Sequence, residues 1–111
     1  MQNKYINMLG LARRAGRLTM GHDMVLDSIR KRKSKLIVFT ADISERLKNE
    51  MQRASEQYIP GLSCVEIKEG MDDVHRLLGY RAGVISVNDI NFANRITELI
   101  NQEENEYGDK N

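Results

Sequence analysis

The sequence predicts an α/β fold: a three-layer α/β/α sandwich with a single central mixed sheet of about four strands and helices on both faces. Three observations predict it. Helix-patterned and strand-patterned segments alternate along the chain, the order that builds one sheet covered on both sides. The run Lys35–Thr40, KLIVFT, is almost continuously apolar, as in a strand buried on both faces. At 111 residues, one domain with one core is the expected organisation.

Taken in order, Ile6, Leu9 and Ala12 recur at helical spacing and predict a helix over Asn3–Ala15, stopped by Gly16. Arg17–Met20 is short and β-capable, and Gly21 breaks the chain again. A second helix is expected over His22–Arg32, with Val25, Leu26 and Ile29 inward and Asp23 favourable to the dipole in its first turn. After the Lys35–Thr40 strand, Asp42 to Glu45 offers caps for a third helix over Ser44–Tyr58. Pro60-Gly61 turns the chain into an alternating strand, Ser63–Ile67. Met71–Leu78 reads as a short helix closed by Gly79, Gly83–Val87 as the last strand, and Asn88 or Asp89 as the cap of a final helix through Ile100. From Gln102 onward aliphatic residues are absent and acids dominate. Residues 1–101 are therefore expected to form a single domain and 102–111 a flexible acidic tail.

Composition narrows the functional classes. One cysteine, Cys64, excludes an internal disulfide. No apolar run approaches the roughly 20 residues of a membrane span, so a soluble, cytoplasmic protein without membrane contact is expected. His22, His75 and Cys64 have no metal-ligand spacing. Gly16 and Gly21 lack the Lys-Ser/Thr that would follow in a phosphate-binding loop of the Walker type. Asp42 follows a strand, where α/β enzymes often place an acid, but a capping role is the better reading. No enzyme, metal or cofactor is indicated.

Charge is informative once it is divided. Residues 1–35 carry nine Lys/Arg against two acids, net +7, and the remainder eight against fourteen, net −6. Such asymmetry suits a polyanion-facing surface. The cations surround one turn-helix unit: Arg13, Arg14 and Arg17 before Gly21, and Lys31, Lys33 and Lys35 at the far end of the helix. A glycine before a helix lets a phosphate or base edge approach the backbone, so the unit has the makings of a cationic rim for RNA.

The segment Leu11-Ala12-x-x-Ala15-Gly16-Arg17-Leu18-x-x-Gly21, the helix, and then Lys35 through Asp42 resemble the ribosomal protein L7Ae/L30e superfamily. Tyr58-Ile59-Pro60, Leu77-Leu78-Gly79 and the Gly83–Val87 strand agree, so the resemblance spans roughly Asn3 to Leu99. Leu9-Gly10-Leu11-Ala12, Gly21-x-Asp23 and Asn91-Phe92-Ala93-Asn94 resemble its small bacterial YlxQ-type branch. The resemblance implies an α/β/α protein that binds RNA, in many members kink-turns. It also implies a reading motif, Gly-x-Asn-Glu-x-x-Lys, at the start of the second helix. Here Gly21 matches, but Asp23, Met24 and Asp27 replace Asn, Glu and Lys. Asp23 lacks the amide donors, Met24 is a poor acceptor, and Asp27 reverses a charge. A second family contact maps to the loop Tyr80-Arg81-Ala82-Gly83, with Arg81 as the basic contact and Val84 and Ile85 as an apolar floor for a flipped base.

The expectation is a non-catalytic, ribosome- or translation-associated protein, monomeric, binding structured RNA (ribosomal, other non-coding or messenger) with an altered reading head. Arg13, Arg14, Arg17, Lys31, Lys33, Lys35 and Arg81 would position it. Gly21, His22, Asp23, Met24, Asp27, Ala82 and Gly83 would select. Translation factors are further expected partners. The alternative is a protein-interaction module that kept the fold and lost RNA specificity, with Met8, Met20 and Met24 as its adaptable apolar surface.

Overall fold

The computed structural model describes the backbone of residues 4–108 and the side chains of residues 4–104. Helices and strands follow in the expected order: α1 (Lys4–Arg14), β1 (Leu18–Met20), α2 (His22–Arg30), β2 (Leu36–Phe39), α3 (Glu45–Tyr58), β3 (Cys64–Glu66), α4 (Met71–Leu78), β4 (Val84–Val87) and α5 (Ile90–Gly108). The sheet runs β1-β4-β2-β3. β4 is antiparallel to both β1 and β2, and β2 is parallel to β3, so the sheet is mixed and β1 lies at its edge.

The continuous apolar run of β2 serves two cores because successive side chains leave opposite faces. Leu36 and Val38, with Ile85 and Val87, pack against Ile6 and Leu9 of α1, Val74 and Leu78 of α4, and Ile96 and Leu99 of α5. Ile37 and Phe39, with Val84, pack against Val25, Leu26 and Ile29 of α2 and Met51 of α3. Three layers result. Each fully buried aliphatic or phenyl side chain contributes roughly 1.5–3 kcal/mol.

Caps settle the helix starts. Ser44 Oγ accepts the Leu47 N–H at 3.2 Å, as an N-cap of α3. Asp42 does not serve that helix: its Oδ1 accepts the Met71 N–H at 3.0 Å, at the start of α4. Gly70 permits this approach, since a Cβ there would stand 2.9 Å from Asp42 Oδ2. The Gly70 N–H (3.2 Å) and Arg76 hold the Asp73 carboxyl below its ordinary range. Asp89, rather than Asn88, caps α5 by accepting the Phe92 N–H at 3.0 Å.

Two expectations about element ends are corrected. α2 stops at Arg30, because Lys31 leaves the helix and Arg32 is left-handed (φ 57°). α5 runs on to Gly108 through the stretch read as a tail from Gln102. Glutamates are good helix formers, and Glu103 meets Lys68 at 2.5 Å. Asp109, Lys110 and Asn111 lie outside the described residues. Among those described, no helix is long and apolar enough to cross a membrane.

Candidate functional site

Gly21 sits between β1 and α2 with φ 91°, a conformation that favours glycine. Its N–H donates to Val84 O at 3.0 Å, which anchors the turn to the sheet. No side chain caps the helix. A Cβ at Gly21 would lie 3.6 Å from the Tyr80 hydroxyl, so this ring rests against the turn. Tyr80 is 48% and Met24 55% exposed, so both offer apolar surface beside the turn. With Arg13, Leu18 and Thr19 they line a shallow depression.

A second depression, about 620 Å³, shares Leu18, Thr19 and Met24 with the first and continues toward the other end of α2. Its cations are Arg17, Arg32, Lys33 and Lys35, and its one carboxylate is Asp27. Among the described residues Arg13, Arg32, Lys33 and Lys35 have no acidic partner, while Arg17 Nε stands 3.9 Å from Asp89. Asp27 is held by Lys31 at 3.1 Å, four residues on. Arg14 and Lys31, both exposed, stand outside both depressions.

A chain of hydroxyls and an amide underlies the second depression. Ser28 Oγ and Thr19 Oγ1 are 2.7 Å apart, and Asn88 Nδ2 donates to Thr19 Oγ1 at 3.3 Å. Ser86 Oγ donates to Asn88 Oδ1 at 2.6 Å and stands 2.6 Å from Ser34 Oγ. Thr19, Ser28 and Asn88 line the depression itself. Every buried side-chain polar atom among the described residues has a partner, so the floor is fixed in position.

The other expected residues are spoken for. His22 places Nδ1 2.7 Å from Asp23 Oδ1 and Nε2 3.0 Å from both Glu50 oxygens. The Asp23 bond, then the Glu50 bond, pull its pKa above the ordinary value. Arg81 Nε donates to Asp72 Oδ1 at 3.0 Å, which ties it to α4. Ala82 and Gly83 are buried. Val84 and Ile85 are fully buried, one in each core. The apolar surface ascribed to three methionines also shrinks, since Met20 is buried and Met8 packs against the core. Burial pushes the Cys64 thiol up. No three His, Cys, Asp or Glu side chains gather as a metal site among the described residues.

Sequence reasoning did not single out Arg32, Thr19 or Asn88 as site residues. Of these only Arg32 carried a signal, as a member of the basic run Arg30-Lys31-Arg32-Lys33.

The model of the ribosomal protein L7Ae/L30e/S12e/Gadd45 family matches residues 4–74. The chain belongs to that family. A protein named RNA-binding protein YlxQ from Enterococcus faecium is 30% identical over 99 residues, covering 89% of this chain and 93% of its own. The protein of the same name from Bacillus subtilis (strain 168) is 30% identical over 98 residues, covering 87% and 95%. Within the family the chain stands in this YlxQ-type branch. Two solved structures share the fold. A protein with unknown function from Bacillus halodurans C has a TM-score of 0.80 at 23% identity, over 90% of this chain and 99% of that one. The Giardia lamblia 15.5kD RNA binding protein has 0.65 at 17%, over 87% and 82%. The family match takes in all of α2 and both clusters of cations, whereas Tyr80, Arg81 and Asn88 lie beyond it.

Proposed function

We propose that the protein is a non-catalytic RNA-binding protein that holds structured RNA along α2 and the β1 edge, in association with the ribosome or translation machinery. One observation carries the reading: Arg13, Arg32, Lys33 and Lys35, none paired with an acid among the described residues, open into two joined depressions on one side of the molecule. Unneutralised cations lining a concavity are what phosphate contact requires. Membership of a family with members named for RNA binding supports it. Phosphate contacts position a protein on RNA, while base contacts select among sequences. The protein has the means for the first in quantity. For the second it has an exposed Met24 and Tyr80 beside Gly21, with Asp23 and Asp27 where the family motif carries amide and ammonium groups.

The protein acts as a cytoplasmic monomer in this reading. Binding of a labelled RNA hairpin, titrated with salt, tests it. Four or five phosphate contacts predict roughly a hundredfold loss of affinity between 50 and 200 mM salt. Arg13→Glu, Lys33→Glu and Lys35→Glu together abolish binding, while these exposed positions, none paired with an acid among the described residues, leave thermal unfolding unchanged. Salt-insensitive binding that survives the reversals defeats the proposal. Co-sedimentation of the natural protein with ribosomal subunits tests the association.

A further inference from the structure

The C-terminal turn of α2 is built in an unusual way. The Lys33 N–H donates to Ser28 O and the Arg32 N–H to Ile29 O, both at 2.9 Å. This pair of bonds closes a helix when the residue after the cap turns left-handed, and glycine commonly fills that place. Here it is Arg32, with φ 57°, the one left-handed non-glycine residue among those described. A Cβ is crowded in this conformation, and strain of this kind gathers at binding sites.

The side chain accounts for the choice of residue. Arg32 Nε donates to Tyr58 O at 3.1 Å, at the end of α3. That bond fixes the guanidinium and leaves its two terminal nitrogens without a partner among the described residues. Arg32 lines the same depression as Arg17, Lys33 and Lys35. At its floor, Asn88 Nδ2 uses one N–H on Thr19 and keeps the second free among the described residues. The local carboxylate, Asp27, is already countered by Lys31. A planar guanidinium held at its Nε and open at its two terminal nitrogens matches a phosphate in shape and charge.

We propose that this depression is a subsite for phosphodiester groups of the RNA backbone, distinct from the Gly21 turn at the start of α2, with Arg32 as its central contact. The subsite rests on the RNA-binding reading above. The left-handed backbone at Arg32 places a guanidinium where glycine would leave none.

The test uses the full chain, a labelled RNA hairpin and inorganic phosphate. Arg32→Gly and Arg32→Asn both suit a left-handed backbone and both remove the cation. Each is expected to weaken hairpin binding about five- to tenfold and to make the log affinity–log salt slope shallower by about one, alike for unrelated hairpin sequences. Arg32→Lys keeps a charge and recovers part of the affinity. Thermal unfolding of the glycine variant stays level, because relief of the left-handed strain offsets the lost Tyr58 bond. Unchanged affinity and slope in both variants, with a fall in unfolding temperature, makes Arg32 a cap for α3 and overturns the subsite while RNA binding stands. Stabilisation by inorganic phosphate that Arg32→Gly removes, with hairpin affinity unaltered, assigns the depression to a free anion and overturns it also. Absence of hairpin binding by the natural protein defeats both readings.

Discussion

The two ends of α2 use charge in opposite ways. At the N-terminal end, the ionisable groups are matched within the fold: His22 lies between Asp23 and Glu50. At the C-terminal end Lys31 meets Asp27, but Arg32, Lys33 and Lys35 have no acid partner among the described residues. The same nine-residue helix thus has one end electrostatically closed and one end open. A cation already satisfied by a neighbour offers little to a phosphate, so the proposed phosphate contacts fall at the open end. The closed end has shape instead, namely the Gly21 turn, Met24 and Tyr80, and the proposal assigns selectivity to it.

The strongest way to break this contrast is to reopen the closed end. Asp23→Asn, Met24→Glu and Asp27→Lys together restore the family's amide, carboxylate and ammonium groups. A good bidentate base contact is worth about 1–3 kcal/mol of discrimination. The triple variant should therefore bind a standard kink-turn RNA at least about tenfold tighter than the natural protein, at one fixed salt concentration. Nanomolar binding of that RNA by the natural protein, or no gain in the variant, would remove the distinction between the ends. Loss of the Asp27–Lys31 pair costs only about 0.2–0.5 kcal/mol of helix stability.

A smaller effect concerns the histidine bridge. The folded-state pKa of His22 is raised, by Asp23 first and Glu50 second. Its charged bridge therefore adds stability that is full below the unfolded value of about 6.5 and is lost as pH rises through the raised folded value. The side chain is 44% exposed, so screening limits the gain to about 0.5 kcal/mol. His22→Gln should lower stability in chemical denaturation at pH 5.5 and match the natural protein at pH 9. An equal deficit at both pH values would mean that the bridge is not a charged one.

The smallest effect is expected from the acidic end of α5. Truncation after Asn101 removes the Glu103–Lys68 pair, whose lysine is exposed and whose glutamate is largely covered, and a pair open to solvent on one side contributes about 1 kcal/mol. The deleted residues carry Glu103, Glu104, Glu106 and Asp109 against Lys110, net −3. RNA affinity should rise slightly at low salt and not at high salt, as long-range repulsion requires. A stability loss of several kcal/mol would make this segment part of the core.

Much of the fold was legible because its signals are local. Gly16, Gly21 and Gly79 mark stops, β2 is a continuous apolar run, and Ser44 precedes its helix as a cap should. Parts of the site were not legible because their partners are distant in sequence. Asp42 caps a helix whose Met71 is 29 residues away. His22 meets Glu50 across 28 residues. Ala82 and Gly83 read as a loop, yet they lead straight into a strand buried in both cores.

The sequence by itself determined the alternation of elements, the family, and the concentration of cations in the first third of the chain. These follow from periodicity, turn residues and composition, each written in neighbouring positions. Only the tertiary structure decided which cations remain open. β1 pairs with β4, Lys35 N–H bonds Val87 O at 2.8 Å and Asn88 N–H bonds Arg17 O at 2.8 Å. Those bonds bring Arg17 to the same groove as Lys33 and Lys35, while other contacts give His22 and Arg81 to carboxylates on α3 and α4. Charge is a property of a residue, but its availability depends on which neighbours the packed chain supplies.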